Sequence, residues 1–146
     1  MSNEMEPPQG FAPHFRTSIL TEPWEPIFSR TTATAVVLGL FARDVHCNSR
    51  HRLHGGVIAA LADNAMGLSC AKALMDAGRD ASGLVTINLS IDYLGSAELG
   101  QWVTFETEYV RPGGLLSIAQ SFVRADGHEI ARANATFRGA KTSNTP

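Results

Sequence analysis

The sequence is poor in cysteine, with two in 146 residues. Cys47 and Cys70 form no CxxC pair and no disulfide framework, which excludes a stapled secreted scaffold and fits a reducing compartment. No run of 18 apolar residues is free of polar interruption, so no membrane span is expected. The N-terminus, Met-Ser-Asn-Glu-Met-Glu-Pro-Pro, is acidic and lacks a hydrophobic stretch. It does not read as a secretory signal, and the cytoplasm is the expected location. Charge of one sign is lacking too. Twelve Lys and Arg against 14 Asp and Glu leave a formal net charge of −2, which gives no global field to attract nucleic acid. The absence of GxSxG and GxxxxGK[ST] argues against serine hydrolases and phosphate-loop enzymes.

What is present is the composition of one globular domain: 44% hydrophobic and 18% charged. Five of the seven prolines fall in residues 1–28, so an irregular N-terminal segment is expected there, with Phe11, Phe15, Ile19, Leu20 and Trp24 available to pin it. The domain itself is expected over 29–140 and a loose tail over 141–146. Val36–Arg43 reads as a strand, Asp44–Leu53 as a polar loop, and about Gly56–Met75 as a nearly all-apolar helix ending near Gly78. From Leu84 the period changes to two. Val85, Ile87, Leu89, Ile91 and Tyr93 alternate with Thr86, Asn88, Ser90 and Asp92. Val103, Phe105, Thr107 and Tyr109 alternate with Trp102, Thr104, Glu106 and Glu108. The odd-numbered sets read as core. Pro112-Gly113-Gly114 is a turn, Asp126-Gly127 a hairpin signal, and Leu115–Arg124 and Glu129–Arg138 are strands. Short links predict a four-strand antiparallel meander, and one helix on one such sheet is an α+β architecture.

The helix carries one acid, Asp63. Placing a carboxylate in an apolar helix costs several kcal/mol, roughly, unless it is paired or hydrated, so Asp63 is a candidate for chemistry. Leu61, Leu68 and Met75, with Val57, Ile58 and Ala65, form a stripe suited to the domain's own sheet. Around Asp63 lie Ala59, Ala60, Met66, Gly67 and Cys70, mostly small, which suits the close approach of a partner or ligand. The N–H groups of Gly55 and Gly56 lie at the positive end of the helix dipole and can polarise a carbonyl oxygen. Gly55 and Asp63 are roughly 12 Å apart along the axis. One helix does not bring both to one carbonyl, whereas two helices related by a twofold axis can. His46, Cys47, His51 and His54 match no zinc spacing, so no metal site is expected. Arg50, His51 and Arg52, and likewise Arg111, suit either a solvated surface or the phosphates of a nucleotide.

Taken together, Asn48, His54-Gly55-Gly56, Asp63 with Gly67, and the strand Thr86-Ile-Asn-Leu-Ser-Ile-Asp-Tyr93 resemble the hotdog-fold acyl-CoA thioesterases of the 4-hydroxybenzoyl-CoA and phenylacetate-pathway type. The resemblance covers about residues 33–138. It implies an antiparallel sheet wrapped around one long central helix, and subunits paired edge to edge into dimers that often pair again into tetramers. It implies Asp63 as general base or nucleophile, Gly55 as the donor to the thioester carbonyl, Asn48 as an orienting group, His54 as support for that loop, and Thr86 as a holder of water. Gly56, Asn64, Gly67, Arg111, Gly113 and Gly114 are expected to line the substrate. Coenzyme A enters only as part of the substrate, and no metal or organic cofactor, nucleic acid or membrane is implied. Two rival readings keep the fold: a non-catalytic acyl-CoA-binding protein and a hydratase or dehydratase. Asp63 argues against the first, and the poor fit of His54 to a catalytic-histidine motif argues against the second.

Overall fold

The computed structural model describes residues 5–139; the expected loose tail at 141–146 lies outside them. The strands are β1 (Ala12–Pro13), β2 (Phe28–Thr31), β3 (Val36–Phe41), β4 (Val85–Tyr93), β5 (Trp102–Arg111), β6 (Leu116–Ala125) and β7 (His128–Arg138), with one helix, α1 (Gly55–Asp76), between β3 and β4. All seven strands join one antiparallel sheet in the order β1-β2-β3-β5-β6-β7-β4. Helix α1 touches every strand from β3 to β7, so the sheet wraps it, as the hotdog resemblance implies.

Three expectations change here. The meander has three strands, not four. Strand β4 pairs with β7 instead of β5, which makes it an edge strand. The link over 94–101 is long enough to carry the chain back to β3, so a short connection did not force neighbours. Strands β1 and β2 extend the sheet from a proline-rich stretch that carries too little alternation to be read. Strand β4 is also not core. Val85, Ile87, Leu89 and Tyr93 are exposed, and only Ile91 packs against the core.

Two β-bulges explain misplaced side chains. Residues directly opposite in antiparallel strands share a face. Thr86 pairs with Phe137, and after a shift Leu89 pairs with Ala135 and Ile91 with Ala133. Thr86 therefore lies on the helix side with Leu89 and Ile91, not opposite them, because the bulge at Ile87 adds one residue. The second shift, between Thr107 and Tyr109, pairs Tyr109 with Gln120 and turns it outward, where it is 52% exposed.

The helix packs through Ile58, Leu61, Ala62, Ala65, Met66, Ser69 and Cys70. Met66 and Cys70, expected on the open strip, are core, and Met75, expected on the core stripe, is exposed. Each large side chain buried this way stabilises the fold by about 1.5–3 kcal/mol. Ser69 bonds back to the Ala65 carbonyl (2.8 Å) and accepts the Val36 N–H (3.1 Å), tying α1 to the start of β3. Gly78, at φ +72°, ends the helix, and the Arg79 N–H closes on the Leu74 carbonyl (2.9 Å). By length and hydropathy α1 could cross a membrane, but half of that window is buried against the sheet. Asp126 and Gly127, both at positive φ, make the tight turn between β6 and β7.

The N-terminal segment is held by the pairing of β1 with β2 and by two aromatic anchors. Phe11 stacks edge-on against Trp102 (5.0 Å), which lies across Gly39, where any side chain would strike the indole. Trp24 packs against the core, and its carbonyl accepts from His46 Nε2 (2.9 Å). Phe15, Ile19 and Leu20 are exposed and do not enter the core, although Phe15 stacks on His14 (4.5 Å).

Candidate active site

The loop before α1 is built around two side chains. His46, expected in a polar loop, is 1% exposed. Its Nδ1 accepts the Arg43 N–H (3.0 Å) while Nε2–H donates to the Trp24 carbonyl, an arrangement that requires the neutral ring. Burial pushes its pKa down, against the pull of the Trp24 carbonyl, with Arg43 lowering it further. The His46 carbonyl accepts the His54 N–H (2.9 Å) and so positions the helix start. Asn48 closes the loop, its Oδ1 accepting the N–H groups of Arg50 (2.9 Å) and Arg52 (3.2 Å). Arg52 pairs with Glu98 (2.5 Å) and His51 lies 3.4 Å from Asp44, so two members of the basic loop already have partners.

His54 is the N-cap of α1, and its Nδ1 accepts the Gly56 N–H (2.8 Å). The Gly56 amide is therefore committed to the cap, which corrects the expectation of two free donors. The Gly55 N–H has no partner among the described residues. Its peptide is polarised from the other side, since the His54 carbonyl accepts from Val57 (3.0 Å) and Ile58 (3.1 Å). A residue that sequence reasoning missed holds this glycine. Tyr93 donates its hydroxyl to the Gly55 carbonyl (2.6 Å), and a Cβ on Gly55 would sit 3.2 Å from the Tyr93 ring. Its place at the end of an apolar alternation marked it as core. Only the edge position of β4 beside the helix start reveals the contact.

Two turns further, Asp63 lies on the open side of the helix, half-buried. The Thr86 hydroxyl donates to Asp63 Oδ1 (2.6 Å), and Oδ2 has no partner among the described residues. Both line a cleft of about 720 Å³ with Asn64, Gly67, Leu68 and Phe137. Gly67 keeps the helix close to the sheet here; a Cβ would approach Phe137 to 3.3 Å. The structure thus brings Asp63, Thr86, Asn64 and Gly67 together. Gly55, Gly56, His54 and Asn48 do not line this cleft. Gly113 and Gly114 line a smaller neighbouring cleft of about 320 Å³, where Arg79 donates to the Gly113 carbonyl (2.5 Å). Any side chain on Gly113 would collide with the Leu116 carbonyl. Arg111 lines neither cleft. No group of three potential metal ligands occurs among the described residues.

Comparison with known proteins bears on this geometry. The family model of the Thioesterase superfamily matches residues 51–131, a span that holds Gly55, Asp63 and Thr86. A Pseudomonas aeruginosa protein provisionally named an esterase is 30% identical over 134 residues, 91% of this chain and 97% of that protein. A hypothetical thioesterase protein from Streptococcus pneumoniae, solved with coenzyme A, superposes with a TM-score of 0.68 at 23% identity, over 80% of this chain and 90% of that one. A mutant of the phenylacetic acid degradation protein PaaI from Thermus thermophilus gives 0.67 at 20% identity, over 78% and 93%.

Proposed function

The chain belongs to the thioesterase superfamily, and from that premise we propose that it hydrolyses acyl-CoA thioesters at Asp63. The observation that carries this reading is the half-buried carboxylate of Asp63, held by Thr86 through one oxygen with the other left for a water or a thioester carbon. As a base, Asp63 takes a proton from water while the oxygen bonds to the thioester carbon. As a nucleophile, it attacks that carbon itself, and water then hydrolyses the resulting acyl-aspartyl anhydride to the free acid and the restored carboxylate. In either case the carbonyl becomes an oxyanion, the C–S bond then breaks and the thiolate leaves. A thioester needs no stronger activation, and coenzyme A is the thiol half of the substrate, not a cofactor. A protein of the same fold solved with coenzyme A supports this choice of thiol.

The Gly55 N–H is the donor best suited to that oxyanion, and it comes from a second copy of the chain. Strand β4 leaves one edge unpaired, with Val85, Ile87, Leu89 and Tyr93 exposed. Such an edge is a template for pairing with its own copy. The outer face of the sheet carries exposed Val85, Tyr109, Leu116 and Ile118, a surface for pairing two dimers into a tetramer.

The test is free-thiol release from a panel of aryl- and alkyl-CoA esters, with gel filtration alongside. Hydrolysis by the wild type that is lost in Asp63→Ala, from a protein that elutes as a dimer or larger, is the expected result. Full activity in Asp63→Ala removes the mechanism.

A further inference from the structure

The N-terminal strap over the cleft is built inside out. Between its two anchors, His14, Arg16, Thr17, Ser18 and Thr21 line the cleft, while Phe15, Ile19 and Leu20 are 64%, 90% and 67% exposed. A segment that only covered the core would turn its apolar side chains inward. Here Arg16, Thr17 and Ser18 border the cleft while open to solvent, and the three apolar residues do not line it. A local rule broken in this way marks a functional surface, so the polar wall calls for a polar group in the cleft.

The partners already present narrow its chemistry. Ser18 Oγ and Thr21 Oγ1 bond to each other (3.0 Å). His14 has Glu25 as its acidic neighbour; burial holds its pKa down while Glu25 raises it and Arg16 lowers it. Arg16 makes no ion pair among the described residues, and neither Arg16 nor the Thr17 hydroxyl makes a side-chain hydrogen bond there. Arg79 lines the same cleft, with one guanidinium nitrogen on the Gly113 carbonyl and no carboxylate partner among the described residues. Two acids also line it. Asp80 directs Oδ1 at the Ser82 N–H (2.8 Å), and Asp63 is held by Thr86. From Asp63 the cleft runs along the helix to Met75, about 18 Å at 1.5 Å per residue, and then reaches Arg79. The cleft thus holds the Asp63 carboxylate near one end, Arg79 beside Asp80 at the other, and the Arg16 guanidinium on its N-terminal wall.

Resting on the thioesterase reading, we propose that Arg16 and Arg79 recognise an anionic group of the substrate, either a carboxylate at the far end of the acyl chain or a phosphate of coenzyme A. Guanidinium suits both, through charge-assisted and bidentate bonds.

The experiment compares wild type and Arg16→Gln on adipyl-CoA, hexanoyl-CoA and the N-acetylcysteamine thioester of hexanoic acid, which carries no phosphate. Arg16 is exposed, so folding is not at stake, and Arg16→Lys checks that charge is what is read. If the acyl carboxylate is the anion, kcat/KM falls about tenfold further for adipyl-CoA than for hexanoyl-CoA. If the phosphates are, it falls alike for both CoA esters and about tenfold further than for the N-acetylcysteamine ester. Either pattern supports the proposal. An active wild type whose Arg16→Gln variant treats all three substrates alike overturns it and leaves the thioesterase reading intact. A wild type that hydrolyses none of them, nor any ester of the aryl- and alkyl-CoA panel, overturns both.

Discussion

The two faces of α1 are made of similar small and apolar residues, yet they treat polar groups in opposite ways. On the closed face, Ile58, Leu61, Ala62, Ala65, Met66, Ser69 and Cys70 are at most 2% exposed. The single strongly polar side chain among them, Ser69, is bonded to Ala65 and Val36. On the open face, Asp63, Asn64 and Gly67 line a cleft, and Asp63 keeps one oxygen without a partner among the described residues. A polar group inside packing must be satisfied by the protein, whereas one in a cleft can be left for a ligand. On this helix, satisfaction thus separates Ser69 from Asp63 more sharply than residue type does.

The largest expected effect tests the open face. Asp63→Asn keeps shape and hydrogen-bonding reach but removes the charge. Thiol release should fall by about a thousandfold or more, within the range spanned by losing a base or nucleophile. The melting temperature should stay near that of the wild type. A variant that unfolds, or one that stays active, would make Asp63 a structural residue like Ser69. The mirror experiment is Met66→Ala on the closed face. It should lower unfolding free energy by about 2–5 kcal/mol in urea titrations. A loss below about 1 kcal/mol would mean that the closed face is loosely packed after all.

The contrast also shows which parts of this fold were legible in the sequence. Strands β5 to β7 each bury one face, so their alternation could be read, and Asp126-Gly127 marked their last turn. The helix was bounded to within one residue at each end. Asp63 stood out because a lone acid in an apolar helix needs a reason. The rest depended on information that local pattern does not hold. A one-residue bulge leaves no signature in the alternation, yet it moved Thr86 onto the face of Asp63 and Tyr109 off the core face. Strand β4 looked like core because its apolar set is real, but an edge strand exposes that set to whatever covers it. The polar side of the strap was hidden for a similar reason. Prolines suggested irregular chain, and only the folded path shows which side chains meet the cleft.

Tyr93 sharpens the comparison at a smaller scale. It belongs to neither face, yet its hydroxyl fixes the first residue of the helix through the Gly55 carbonyl. Tyr93→Phe keeps the ring against Gly55 and removes the bond. If Gly55 supplies the oxyanion donor, kcat should fall about tenfold, the typical value of one well-placed hydrogen bond, with KM little changed. The loss should be the same for every acyl group, since the oxyanion is common to all. A loss that varied with the acyl group would place Tyr93 against the substrate instead of behind the glycine.

The smallest effect asks whether satisfaction governs polar groups away from the helix as well. His46 is as buried as Ser69, and both ring nitrogens are bonded, but only in the neutral form. Its pKa is lowered in the fold, first by burial, so below the ordinary value of 6.5 the unfolded chain takes up a proton that the folded chain resists. The sign follows: the contribution to stability is present above about pH 6.5 and is lost as the pH falls below it. His14, lowered mainly by burial as well, adds in the same direction. Urea midpoints should therefore drop between about pH 7 and pH 5, and the slope should shrink in His46→Gln without vanishing, because His14 remains. The loop that His46 holds leads directly to the His54 cap, so the drop should be accompanied by lower amide-exchange protection factors at the first turn of α1. A midpoint that rose toward about pH 5 would mean that the fold prefers the imidazolium. The Arg43 N–H would then have no acceptor at Nδ1, and the neutral, doubly bonded ring would be the wrong description of this site.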